Sequence, residues 1–562
     1  MTASIANAAQ AASPDAAALE SSPTRRVRVW DLPVRVFHWA LVAAFGAAYL
    51  LSESERQRDL HVMFGYTVLG LVAFRLLWGF VGTHYARFSS FLFGPRATLQ
   101  YLGIDEWRFV RETAATFKQG IRFVDWAQTP QVGAHHQFFH PFEAPYYAED
   151  LNLVPYWLLQ DPATRAPFAE AMTLQYRVAE AGRAPKRVHE GPYAAPLNYA
   201  YHFDALKLAR LLGEHARQLG VRHVEGTLNG VARTPTGAIG HIETLQHGRF
   251  DADLYIDCTG FRAELISQLP SKPFHSVRDV LFADRALTCK LSTEAPDAVM
   301  ESCTIATAHE AGWIWDIGLN GSRGLGCVYA SSHLSDERAA EILRAHIGPQ
   351  QAEVALRRIP FEAGYRPQPW VKNCVAIGLS AGFLEPLEST GLVLIEAAVG
   401  MLAEMLPHSG PMDAPARRFN ELMTARYENI VNFLKLHYCL SQRPEPFWRD
   451  NAASSSIPER LAEFLEQWTL RPPGRFDFVL DTETFAFFNY QYILYGMGFQ
   501  TDLSAARADF AETAQAEKLF AKIRRFGDRA LTDLPSHRSL IQQIHALSSQ
   551  SRVRPAVNAL SA

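Results

Sequence analysis

Glu388, Ser389, Thr390 and Gly391 sit together in GFLEPLESTGL, between the apolar run Cys374 to Ala381 and a second from about Leu387 to Leu406. The first run predicts a strand and the second a long helix. The four residues then fall at a helix mouth, where unpaired backbone N–H groups and the positive dipole end hold anions. An ordinary helix start uses the same residue types. Lys118, in ATFKQGIRFVDW, is set among Phe117, Ile121, Phe123 and Trp126. A lysine in such surroundings loses charge on burial and reacts as an amine; the plainer reading is a surface lysine on a helix.

Two further phrases accompany GFLEPLESTGL and ATFKQGIRFVDW: GWIWDIGL at Gly312 to Leu319 and DLYIDCTGFRAELI at Asp253 to Ile266. In order and context they resemble the flavin-dependent tryptophan halogenase family, from about Leu99 to the C-terminus. The resemblance implies that reduced FAD, supplied by a flavin reductase, reacts with oxygen and halide to give hypohalous acid. A catalytic lysine then presents electrophilic halogen to tryptophan, another indole or another electron-rich arene. On this basis Lys118 is the catalytic lysine and Glu388 faces the same reaction centre. Ser389, Thr390 and Gly391 bind halide. Trp313 and Trp315 flank the flavin, although Gly318 stands where the family's WxWxIP signature has proline. Asp257, Thr259 and Gly260 approach the cofactor at a strand end.

These residues need a scaffold, and the patterning outlines one. DADLYIDCTG reads as a buried strand ending at a Thr-Gly turn. Phe203 to Gly220 reads as an amphipathic helix with Leu208, Leu212, Ala216 and Leu219 on one stripe. From about Pro411 onward helical periodicity dominates. The expected fold is an α/β flavin-binding monooxygenase-like domain over 99–410, followed by a mostly α-helical domain over 411–562. It lacks its first Rossmann strand-turn-helix: no strand–GxGxxG–helix opening is present, and GSRGLG at Gly321 to Gly326 leads into a strand. Removing that opening exposes neighbouring strand edges and deletes the amides that would hold a pyrophosphate.

In its place stands a different front end. Residues 1–24 are rich in Ala and Ser and read as a disordered tail. Residues 25–98 carry two apolar runs, Val36 to Leu51 and Leu60 to Gly82, read as a two-helix transmembrane hairpin. Arginines at both outer ends place those ends, and the large C-terminal part, in the cytoplasm. VRVWDLPVRVFHWALV and the second run resemble the first half of bacterial membrane diheme cytochrome b proteins of the nickel-hydrogenase type. That resemblance makes His38 and His61 haem b axial ligands, consistent with the cost of burying histidine in a membrane. The family's other two helices are missing, so a second subunit would have to complete the haem ligation.

Composition narrows the rest. A net charge of −4 with no basic stripe argues against nucleic-acid binding. The 6 cysteines form no CxxC pair and suit a reducing compartment. Three function classes follow: a membrane-tethered halogenase, a haem electron-transfer protein, and an inactive fusion of the two families. A metal-dependent halogenase would draw on His135, His136 and His140, but adjacent histidines point apart and no cofactor motif surrounds them.

Overall fold

In GWIWDIGL, Trp313 and Trp315 point to one face of a strand and need small neighbours. The computed structural model supplies them: Trp313 lies between Ala308 and Val328, and Trp315 between Ala306 and Gly326. A Cβ at Gly326 would stand 2.0 Å from the Trp315 ring, so only glycine fits there. The structure describes residues 95–551, apart from 132–133, 149, 293–299, 350–352 and 480–482, together with scattered helical positions between 39 and 68. His38, His61 and most of the expected hairpin lie outside the described residues. Among the described residues no helix is long and apolar enough to cross a membrane. Residues 94–562 form one compact unit, and residues 1–93 another.

Strands β1 (Thr116–Lys118) and β4 (Ala200–His202) make a short antiparallel pair. The central sheet has seven strands: β2 (Gly120–Val124), β3 (Gln137–Pro141), β6 (Arg285–Ser292), β7 (Thr304–His309), β8 (Gly312–Leu319), β9 (Ser322–Tyr329) and β10 (Arg357–Pro360). Their spatial order is β10-β6-β9-β8-β7-β2-β3, antiparallel except where β2 runs parallel to β7. Lys118 therefore lies on a strand and is buried, not on a surface helix. Gly120 lets the chain pass from β1 into β2, since a Cβ there would meet the His140 carbonyl at 2.4 Å.

A buried ion pair braces β4. Glu106 accepts from Lys186 Nζ (2.9 Å), Tyr199 OH (2.6 Å), Tyr201 OH (2.7 Å) and the Tyr193 amide (2.5 Å). Such full satisfaction offsets the desolvation of both charges.

The second sheet is where sequence and structure part. Strand β5 (Tyr255–Asp257) is only three residues long and occupies an edge, in the order β5-β12-β11 with β11 (Trp370–Val371) and β12 (Cys374–Ala376). The expected strand from Cys374 to Ala381 stops at Ala376 and continues as a 3-10 turn, Gly378–Ser380. Helix α1 (Ala205–Gln218) forms as the periodicity requires, burying Leu211 and partly Leu208 and Leu212, while Leu219 stays exposed. The C-terminal region supplies the long helix α3 (Asp413–Cys439), preceded by α2 (Thr390–Met405) and followed by α4 (Phe487–Gly496) and α5 (His537–Ser551). α3 and α4 pack into the same apolar core as the seven-stranded sheet.

Candidate functional site

Lys118 ends β1 with its side chain 4% exposed. Its backbone is fixed from the C-terminus: the Phe117 amide donates to His537 Nε2 at 2.9 Å, and His537 Nδ1 donates to the Met300 carbonyl at 3.2 Å. Burial pushes His537 down to about 4, which keeps it in that neutral tautomer. Lys118 Nζ donates to Ser389 Oγ at 3.1 Å and lies 5.8 Å from the Phe142 ring. Burial also lowers the lysine, to about 8, with the charge of Glu388 opposing the shift. The ammonium thus loses its proton at a pH well below that of an ordinary lysine.

The facing loop is bent in an unusual way. Glu388 (φ 61°) and Ser389 (φ 56°) are consecutive non-glycine residues in the left-handed region, a conformation costing about 1–2 kcal/mol per residue. Their side chains explain why it persists. Glu388 Oε1 meets His140 Nδ1 at 2.8 Å and His437 Nε2 at 3.1 Å. Burial by itself would raise the Glu388 carboxyl, but the two histidines more than reverse this and hold it well below the usual carboxylate range. His140 Nε2 meets Asn489 Oδ1 on α4 at 2.9 Å. His437 Nδ1 donates to the Phe433 carbonyl at 2.9 Å, so its contact with Glu388 needs a second shared proton. Strained backbone held by buried polar contacts is typical of reactive sites.

The helix mouth is also present, shifted by one turn. α2 begins at Thr390, and Ser389 caps it without a side-chain hydrogen bond because its hydroxyl serves Lys118. The first-turn amides, beginning with Thr390 and Gly391, are therefore left without an intrahelical acceptor. Thr390 is buried and Gly391 exposed, so the mouth spans the wall between interior and surface.

Trp313 and Trp315 stand 6.1 Å apart by ring centroid. They connect to Glu388 through Trp126, which lies 6.2 Å from Trp313 and 6.2 Å from His437. Asp257 is placed differently from a group that touches a ligand. Its buried carboxylate accepts from Thr259 N, Thr259 Oγ1, Leu265 N and Ile266 N at 2.7–2.9 Å, and so shapes the loop after β5. Thr259 and Gly260 form the turn at that strand end.

Sequence reasoning missed His437 altogether, and weighed His140 only beside His135 and His136 as a metal candidate. His135 in fact pairs with Asp125 at 2.7 Å, away from His140. Among the described residues no group of three or more His, Cys, Asp or Glu side chains could hold a metal ion. A signal for His437 was available: Asn429, Asn432, Lys435 and His437 interrupt an apolar helical run, and all four are buried.

Residues 95–513 match the tryptophan halogenase family. The chain belongs to that family. It is 33% identical over 482 residues to tryptophan 6-halogenase SttH of Streptomyces toxytricini, covering 82% of this chain and 90% of that one. Tryptophan 7-halogenase RebH of Lentzea aerocolonigenes is 31% identical over 476 residues, covering 80% and 89%. Among solved structures, the tryptophan halogenase of Shewanella frigidimarina NCIMB 400 superposes with a TM-score of 0.76 at 37% identity, covering 80% of this chain and 86% of that one. Residues 29–121 separately match prokaryotic cytochrome b561, so the two matches overlap over 95–121. The halogenase fold thus carries a cytochrome b561-like segment at its front.

Flavin is the cofactor this family implies, and the residues present fit it unevenly. The uncapped amides of α2 and the turn at Thr259 and Gly260 suit the ring end. For the ADP end no glycine-rich turn adjoins β5 among the described residues, where that strand lies at the edge of its sheet.

Proposed function

We propose that this chain halogenates tryptophan, or another indole or electron-rich arene, through Lys118. The observation that carries the reading is the lysine itself: buried, lowered to about 8, donating to Ser389, and under the charge of Glu388. Bound reduced flavin, with oxygen and halide, would supply the oxidised halogen. Halide would sit at the Thr390 and Gly391 amides, with Ser389 beside them. The neutral amine of Lys118 would take the electrophilic halogen from hypohalous acid with release of water, or hydrogen-bond the acid, and the arene would give up a proton as its carbon–halogen bond forms. Glu388, fixed by His140 and His437, places a negative charge beside that electrophile and orients it. Trp313 and Trp315 wall the site and keep water and substrate from the flavin. Asp257 acts on the flavin-side turn only through the loop it holds, while Thr259 and Gly260 approach the ring end directly. A flavin reductase is the partner that supplies FADH2.

The test is direct. The full chain in detergent is given FAD, a flavin reductase with its nicotinamide, chloride and tryptophan or indole, and the products are read by mass spectrometry. A monochlorinated arene is expected; none from any indole, with FAD demonstrably bound, rejects the reading.

The cytochrome b561 match favours a second reading beside the first: a membrane-held front end that binds haem b through His38 and His61, with a second subunit completing the ligation, and passes electrons toward the flavin on the cytoplasmic side. A reduced haem b spectrum lost in His38→Ala and His61→Ala variants supports it; no haem in the membrane-extracted protein, with or without added haemin, rejects it.

A further inference from the structure

His437 has two partners, and both can only accept. Its Nδ1 lies 2.9 Å from the Phe433 carbonyl and its Nε2 lies 3.1 Å from Glu388 Oε1. A carbonyl has no proton to give, and neither has an ionised carboxylate. A neutral imidazole carries one N–H, which the carbonyl takes, and its bare nitrogen would then face the carboxylate lone pairs. The contact therefore needs one more proton between Nε2 and Oε1. His140 makes no such demand. It meets the same Oε1 at 2.8 Å, but its other partner, Asn489, has both a donor and an acceptor in its amide.

The surroundings hold that proton in place. His437 is fully buried. By ring centroid, Phe433 stands perpendicular to it at 5.1 Å, Phe123 lies at 5.2 Å and Trp126 at 6.2 Å. Aromatic faces within about 6 Å favour a cation over a neutral ring. The other charged groups near the pair are His140 on β3 and Lys118 on β1, which feels the Glu388 charge. On α3 itself the neighbours bond elsewhere, Lys435 to Asn451 Oδ1 at 2.8 Å and Tyr438 to Glu385 at 2.9 Å. The proton is thus kept from water, one residue along the chain from Ser389, whose hydroxyl accepts from Lys118.

Halogen transfer uses a proton at this spot. The halogen of hypohalous acid leaves an oxygen behind, and hydroxide departs readily only if it is protonated as it goes. Lys118 reacts as an amine once it has given up its own proton. A second proton source beside it fits that division of labour.

We propose that His437 holds, through Glu388, the proton that turns the departing oxygen of hypohalous acid into water. This rests on the halogenation reading above. The oxygen–halogen bond breaks with its electron pair going to oxygen, and the carbon–halogen bond forms from the arene's electrons. The pair's proton passes to the oxygen. The proton that the arene carbon loses restores the pair, so arene and hypohalous acid give haloarene and water. His437 touches neither reactant and is a positioning residue for the proton; Glu388 is the group that reaches the oxygen.

The experiment reads the proton first and the reaction second. The full chain in detergent, with nitrogen-15 in its histidine rings, is examined by NMR at about pH 8, where an ordinary histidine of pKa about 6.5 has one protonated ring nitrogen. His437 is expected to keep both nitrogens protonated, and contacts to the Phe123 and Trp126 rings assign its signal without a variant. Glu388→Gln should return it to one, because an amide can donate to the bare nitrogen. A single protonated nitrogen on His437 in the parent chain overturns the proposal and leaves the halogenation reading standing.

With FAD, a flavin reductase, chloride and tryptophan, His437→Gln should lose product formation at least about tenfold, with the KM for the arene unchanged. The parent rate should rise with pH as Lys118 is freed and fall at higher pH as the pair is deprotonated. The variant should keep the rise and lose the fall. That profile is the deciding readout, since a merely loosened site would lower the rate at every pH. A parent-like rate and profile in His437→Gln also overturns the proposal. A doubly protonated His437 in a chain that binds FAD yet yields no halogenated arene rejects the halogenation reading and the proton's role with it.

Discussion

Around Lys118 the polar groups meet one another at a site that is buried at Lys118, His140 and His437 and opens to the surface at Ser389, while around Ile256 the backbone faces outward beside an apolar trough. Lys118 reaches Ser389, Glu388 reaches His140 and His437, and His140 reaches Asn489. These contacts link β1, the loop before α2, β3, α3 and α4 from distant parts of the sequence. Around β5, among the described residues, a strand pairs on one side only. The contrast is between a site closed by side chains from distant segments and, among the described residues, a strand edge paired on one side.

The largest expected effect tests the closed region. Lys118→Met keeps the volume and removes the amine, so product formation should fall by about 100-fold or more. Replacing a buried charge by a well-packed apolar group need not destabilise, so the fold should survive. The wild-type rate of halogen transfer should rise with pH through about 8, as the amine is freed. Stability has its own sign: the folded-state value lies below the ordinary 10.5, so the unfolded chain binds more protons between about 8 and 10.5, and this group's contribution grows with pH across that window. The variant should lack that rise in a pH series of thermal melts. An unchanged rate in Lys118→Met would break the comparison at its stronger side.

Next in size, Glu388→Gln should lower product formation by about tenfold and alter acid stability. The Glu388 carboxyl is held below its ordinary 4.5, so it stabilises the fold above that pH and loses the contribution as pH falls further. The variant should show a flatter decline below about pH 4.5 in urea melts. Equal acid sensitivity in the two proteins would mean that the histidines do not hold an ionised carboxylate.

The smallest effect belongs to the open region. Ile256→Asp in the chain alone should shift stability by no more than about 0.5 kcal/mol, as surface substitutions do. A larger loss in chemical denaturation would show the edge covered within the chain, and the contrast between the regions would fail.

Much of the site was legible because its residues are adjacent in sequence or embedded in distinctive phrases. Glu388 to Gly391 form one such phrase, Lys118 lies in an apolar setting, and Trp313 and Trp315 alternate on a strand. The His140–Glu388–His437 bridge was not legible, since its members are 248 and 49 residues apart. The left-handed turn at Glu388 and Ser389 was equally hidden, because neither residue type favours it and only tertiary contacts hold it.

The sequence by itself pointed to the family, set Lys118 and Glu388 in distinctive phrases, and outlined the periodic helices, since each depends on residue identity or local spacing. Tertiary structure decided what those residues mean. It shortened the buried strand expected in DADLYIDCTG to Tyr255–Asp257, with Tyr255 and Asp257 buried and Ile256 exposed, because a strand's extent and burial depend on neighbours that local pattern cannot supply. It made Lys118 a lowered, partnered amine, because desolvation and the field of Glu388 exist only once distant segments close around it.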